Sequence, residues 1–253
     1  MSMESAVYRV LRIDEQLYGC EELPEGQPVL CDVLLEDAEG SRRVLAYPDA
    51  ELTRLNINEG DSVTLTGHTL ARAQHRVYFT RHGETVWNVE NKICGMTDSP
   101  LTEKGRAQAR ELGEKLRDSG LQIDEILYSP LSRAADTAKA IADATGWPAR
   151  CEPRLREQCF GRYEGTPRDG EEFRISKTHF ADRYTGGESM MQLAQRIYNL
   201  LDELRADRDH TYLLVAHNGI ARVVQSYFRD MTNEEYAAAG IRNCEFVAFD
   251  FDE

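Results

Sequence analysis

Two segments of this chain set a histidine at the tip of an apolar run and place a glycine within two residues of it: VYFT-Arg81-His82-Gly83 and LLVA-His217-Asn218-Gly219. Glycine at such a point lets the backbone turn sharply and approach a ligand. The free N–H groups of the helix or turn that follows form an anion site. Arg133, in YSPLSRAADTA, stands in the first turn of a helical pattern, where a cation opposes the helix dipole. An anion bound between dipole and guanidinium makes that placement favourable. Taken singly, each residue has an ordinary explanation. A strand-end histidine is a hydrogen bonder, an arginine is half of a surface ion pair, and Glu157 in LREQCFGRYEG is a solvated loop charge. Together they describe a site that handles an anion.

The elements that must position these residues divide the sequence near residue 73. Upstream, AVYRVLRI, PVLCDVLL, RRVLAY and SVTLTG read as strands, EDAEGS and NEGD as turns, and DAELTRLN as one short helix. Residues 1–73 are therefore expected to form a small all-β, barrel-like domain, OB-like or SH3-like. Residues 74–253 alternate strand and helix. RVYFT, DEILYS, TYLLVA and EFVAFDF read as strands. The helix LTEKGRAQARELGEKLRDSG has Thr102 as N-cap, and SPLSRAADTAKAIADATG has Ser129 as N-cap and Pro130 at N1. ESMMQLAQRIYNLLDELRAD puts Met190, Leu193, Ile197, Leu200 and Leu204 on one stripe. This alternation implies an α/β domain, a mostly parallel sheet with helices on both faces. Its ligand crevice lies beyond the carboxyl ends of the strands, where Arg81, His82 and His217 stand.

Composition narrows the partners. The 253 residues are 41% hydrophobic, with a net charge of −14. Residues 1–73 carry six arginines, no lysine and fourteen carboxylates, a net of −8. Such a surface repels nucleic acid and anionic membranes, so neither is expected as a partner. The first domain is read instead as a docking or dimerisation module, which would make the chain a homodimer. No apolar run approaches the roughly 18 residues of a membrane span, and the N-terminus lacks signal-peptide features, so the expected compartment is the cytoplasm. The cysteines Cys20, Cys31, Cys94, Cys151, Cys159 and Cys244 contain no CxxC and read as reduced thiols. The two histidines have no third metal ligand in an HExxH or Cys/His pattern, so no metal and no cofactor are expected. Activity in excess EDTA tests that.

TRHGETVWN resembles the RHGE signature of the histidine phosphatase superfamily, the phosphoglycerate-mutase-like fold. GMTDSPLTEKGRAQA, ILYSPLSRAADTA, LREQCFGRYEG, GGES and LLVAHNGIARVV follow in that family's order across residues 76–250, with residues 1–73 outside the likeness. The resemblance implies that His82 is a nucleophile that becomes phosphohistidine. It implies that Arg81 and Arg133 hold phosphoryl oxygens, His217 completes a positive cradle, and Glu157 is the general acid. Asn88, Cys94, Gly95 and Asn218 are the implied substrate-binding positions. The chemistry is coherent: a neutral imidazole meets no charge repulsion from a phosphate ester, and cations stabilise the in-line transition state.

The segment between Glu157 and His217 is short and has no adjacent arginine pair, and Cys94 stands where the family's mutases usually present a hydroxyl. Both departures favour hydrolysis, as in the broad-specificity and α-ribazole-phosphate phosphatases. The reaction expected is therefore hydrolysis of a small phosphorylated substrate. Phosphoglycerate-mutase-type transfer and a non-catalytic phospho-ligand-binding role are the alternatives.

Overall fold

The strands expected upstream of residue 73 form a single antiparallel sheet in the computed structural model, which describes residues 6–16, 28–37, 39–73 and 75–251. The chain divides into two compact units, Met1–Gln74 and His75–Glu253. In the first, β1 (Ala6–Glu15), β2 (Leu30–Glu36), β3 (Arg42–Pro48), α1 (Asp49–Arg54), β4 (Ser62–Thr66) and β5 (Thr69–Arg72) follow one another. The sheet order is β3-β2-β1-β4-β5. The short helix expected at DAELTRLN forms as α1. The sheet departs from the expected barrel in one respect: among the described residues no ladder joins β3 to β5, so it stays open. Alternation in β2 sends Cys31, Val33 and Leu35 into a core with Val10, Leu45, Val63 and Leu70. Cys20 lies outside the described residues; the other five cysteines are free thiols.

The second unit runs β6 (Arg76–Arg81), α2 (Val86–Val89), α3 (Glu103–Asp118), β7 (Glu125–Tyr128), α4 (Ser132–Thr145), β8 (Ala149–Cys151), α5 (Glu171–Ser176), α6 (Met190–Ala206), β9 (Tyr212–Ala216), α7 (Asn218–Phe228), α8 (Asn233–Ala238) and β10 (Phe246–Asp250). Its sheet order is β10-β6-β9-β7-β8. The sheet is mixed. β6, β9, β7 and β8 are parallel, and β10 closes one edge antiparallel to β6. An antiparallel strand needs no crossover helix, so β10 can pair with β6 without one. Side chains alternate across the sheet. Val77, Phe79, Leu214 and Ala216 pack with α6 and α7, while Tyr78, Leu213 and Val215 pack with α3 and α4. The parallel strands are apolar on both faces because helices cover both.

Local signals set the helix ends. Thr102 accepts the Gly105 N–H at 3.0 Å, and Ser189 and Gln192 form a capping box on α6. Gly146 ends α4 at φ +80°. The expected Ser129 cap does not form. The helix starts at Ser132, and its N–H is taken at 2.9 Å by Asp98 from a distant loop. Ser129 is engaged elsewhere, as described below.

Candidate active site

The register of β6 against β9 brings the two histidine motifs together. Arg81 pairs with Ala216, and the His82 N–H donates to the Ala216 carbonyl at 3.0 Å. His82 and His217 thus leave adjacent strands at the same level, with ring centroids 5.1 Å apart. Both are buried, at 4% and 1% exposure.

His82 Nδ1 lies 2.7 Å from the Gly83 carbonyl. A carbonyl only accepts, so Nδ1 carries the proton and Nε2 keeps its lone pair. Burial, then the nearby Arg133 and Arg81 guanidinia, hold this imidazole well below its ordinary pKa. It is neutral at pH 7. His217 Nε2 meets Ser129 Oγ at 2.7 Å, which is what diverts Ser129 from α4. Burial first, then Arg133, His82 and Arg81, lower its pKa as well. Burial, which the sequence does not display, thus favours the neutral imidazole at His217 as well.

Positive charge comes from the arginines. Arg81 is held to about 10 by burial and by Arg168, still far above neutrality. Its Nη1 donates to the Ile241 carbonyl at 3.2 Å. Arg133 is 1% exposed. Its Nη2 donates to the Gly95 carbonyl at 2.7 Å, and its Nη1 to the Thr97 carbonyl at 3.1 Å and Asp98 Oδ1 at 3.3 Å. Its buried Nε has no partner among the described residues.

Glu157, 5% exposed, accepts the Gln158 N–H on Oε1 and the Gly219 N–H on Oε2, each at 2.9 Å. A Cβ on Gly219 would overlap this carboxylate, and one on Gly83 would overlap the Gly105 carbonyl. Neither glycine has a positive φ. They are needed for close approach, of a carboxylate in one motif and of a helix in the other, and not for the sharp turn expected.

A cavity of about 130 Å³ is lined by Arg81, His82, Asn88, Cys94, Glu157 and Asn218, among others. It is small against the roughly 300–1,000 Å³ of drug-sized ligand sites. Gly95 does not line it; its carbonyl serves Arg133, and a Cβ there would overlap the Gln158 carbonyl and the Glu164 carboxylate. Arg133 and His217 lie outside the lining too. Asn88, which is in the lining, also caps α2, its Oδ1 accepting the Thr85 N–H at 3.1 Å in a capping box.

Sequence reasoning missed three cations that line the cavity: Arg168, Lys177 and Arg222. The first two flank α5, and the third lies on α7. Arg168 Nε donates to the Lys92 carbonyl at 2.8 Å, Arg222 Nε to the Ala239 carbonyl at 2.7 Å, and Lys177 Nζ sits 4.4 Å from the Phe173 ring centroid. Among the described residues no ion pair joins any of them to a carboxylate. Burial, then Arg222 and Arg168, lower Lys177 to about 8. No adjacent arginine pair announced this cluster; only folding assembles it.

Residues 77–253 match the model of the histidine phosphatase superfamily (branch 1). The chain is 36% identical over 186 residues to a probable phosphoglycerate mutase GpmB of Yersinia pestis, covering 70% of this chain and 86% of that protein. Among solved structures it resembles a putative α-ribazole-5′-phosphate phosphatase from Escherichia coli (TM-score 0.62, 26% identity), covering 70% of this chain and 91% of that one. It also resembles a mycobacterial glucosyl-3-phosphoglycerate phosphatase (TM-score 0.60, 30% identity), covering 70% and 90% respectively. No described helix is long and apolar enough to cross a membrane.

Proposed function

This chain belongs to the histidine phosphatase superfamily, and on that premise we propose that it is a metal-independent phosphomonoesterase that works through a phosphohistidine on His82. One observation carries the reading. A neutral imidazole is held by Nδ1–H against the Gly83 carbonyl, leaving Nε2 free in a cavity that also presents Arg81 and Glu157. Nε2 attacks phosphorus, the P–N bond forms and the ester P–O bond breaks. Arg81 in the lining, with the buried Arg133 whose charge also acts on His82, stabilises the charge spread over the equatorial oxygens. Glu157, protonated beside the bound phosphate, gives its proton to the leaving oxygen. As a carboxylate it then takes a proton from water, whose oxygen displaces the imidazole and releases phosphate. His217 and the Asn218 region complete the hydrogen bonding around the phosphoryl group.

Arg168, Lys177 and Arg222 favour a substrate with a second anionic group, a carboxylate or another phosphate. Three like charges beside one cavity repel one another, and a second anion relieves that repulsion. The small cavity favours a small metabolite. The same cations, with the identity to a probable phosphoglycerate mutase, also fit a second reading, mutase-type transfer between hydroxyls of such a substrate. Phosphate release measured against isomer formation from phosphoglycerate separates the two. The basic test is turnover of p-nitrophenyl phosphate in excess EDTA by wild type and by His82→Ala. Equal rates in both proteins would reject the mechanism.

For residues 1–73 the strand order, with a helix between β3 and β4, supports an OB-like, partly open barrel. Its acidic charge favours docking or self-association over nucleic-acid binding. Sedimentation velocity on the full chain tests self-association, and a monomer at all concentrations would remove it.

A further inference from the structure

Glu164 is absent from the chemistry above, yet its carboxylate is the most heavily engaged beside the site. Oε1 accepts the N–H groups of Met96 and Phe160, each at 2.9 Å. Oε2 accepts those of Gly95 at 3.2 Å and Thr97 at 3.0 Å. Four backbone donors from two loops converge on one side chain. Hydrogen bonds to a charged acceptor are stronger than those between neutral groups.

The other side of the 95–97 loop faces Arg133, whose guanidinium is held by the Gly95 and Thr97 carbonyls. One peptide group belongs to both sets. Its N–H, from Met96, donates to Glu164, and its C=O, from Gly95, accepts from Arg133 Nη2. The anion and the cation polarise that peptide in the same sense. Gly95 is glycine because a Cβ would overlap the Glu164 carboxylate. The loop thus fixes the guanidinium in one orientation, with its buried Nε left unpartnered among the described residues. Phe160, held by the same carboxylate, lines the cavity, as does Cys94.

We propose that Glu164 is the positioning residue of the phosphoryl pocket, acting through the 95–97 loop on Arg133. This rests on the reading that the pocket takes a phosphoryl group. The amide of Glu164→Gln keeps the shape but offers one acceptor oxygen in place of two, leaving part of the loop unmatched.

The test is a double-mutant cycle read as inorganic phosphate affinity by calorimetry, with circular dichroism melts as a control on folding. Glu164→Gln should weaken phosphate binding about tenfold. In an Arg133→Lys background, which already lacks the planar fork, it should weaken binding less than about twofold. Equal losses in both backgrounds, or wild-type affinity in Glu164→Gln, would overturn the proposal. Should Glu164→Gln not fold, Glu164→Asp carries the same cycle, and unchanged affinity there would overturn it equally. A wild-type protein that binds no phosphate would instead sink the phosphoryl-pocket reading, and the inference with it.

Discussion

The two units bury different things. Among the described residues of the first, Asp61 is the buried charged side chain, paired with Arg72 at 2.9 Å and accepting the Asn58 N–H at 2.8 Å, and the core of that unit is hydrophobic. The second buries two histidines, an arginine and a glutamate within one site, each 5% exposed or less. Burying ionisable groups opposes folding unless their partners are supplied. The first unit spends its sequence on a core. The second sets aside part of its own to hold ionisable groups together and away from water.

Substitutions in the second unit should have the larger effects on activity. Glu157→Gln should slow esters with poor leaving groups by about 10²–10⁴-fold and p-nitrophenyl phosphate much less, since its leaving group needs little protonation. Equal slowing of both substrates rejects Glu157 as the acid. Lys177→Ala should lower kcat/KM about tenfold or more for phosphomonoesters with a second anionic group and leave simple ones nearly unchanged. Because Lys177 is lowered to about 8, its cationic form is lost as pH rises through that value. The wild-type preference for doubly anionic substrates should therefore shrink above pH 8. A preference unchanged at pH 9 counts against Lys177.

Stability should show the same division. His82 and His217 are depressed below their ordinary pKa when folded. As pH falls below about 6.5 the unfolded chain takes up protons that the folded one refuses. The stability of the second unit is therefore lost as pH falls, by up to about 1.4 kcal/mol per pH unit for each histidine. Trp87 and Trp147, the chain's two tryptophans, both lie in this unit, so fluorescence melts follow it. A midpoint flat between pH 6.5 and 5.5, or equally steep in His82→Gln, contradicts the account. The smallest effect on activity belongs to Leu35→Ala. It should cost the first unit about 2–5 kcal/mol yet leave kcat within about twofold, because every proposed catalytic group lies in the second. A larger fall in kcat would give the first unit a part in the chemistry.

Much of the site was legible because its residues sit where secondary structure ends. Arg81, His82 and His217 follow apolar strands directly, and the sequence shows that. It does not show that β6 and β9 are neighbours in register, since pairing depends on contacts far apart in the chain. The Ser129 cap was misread for the same reason: a hydroxyl suited to capping was taken by a histidine from another strand. Arg168, Lys177 and Arg222 carry no local pattern at all. Nothing local in the sequence sets Glu164 apart from other loop glutamates; folding places four N–H groups around it. In the first unit, local alternation identified four of the five strands, while the short β5 hairpin arm and the open edge depended on tertiary pairing.

The central claim is that phosphorus bonds to His82. Rapid quenching of the wild-type reaction with ³²P-labelled substrate, under denaturing alkaline conditions, tests it directly. The account predicts an acid-labile, alkali-stable label that maps to His82 and is missing from His82→Ala. Substrate hydrolysed at full rate with no label trapped on His82, or with the label on another residue, would contradict it.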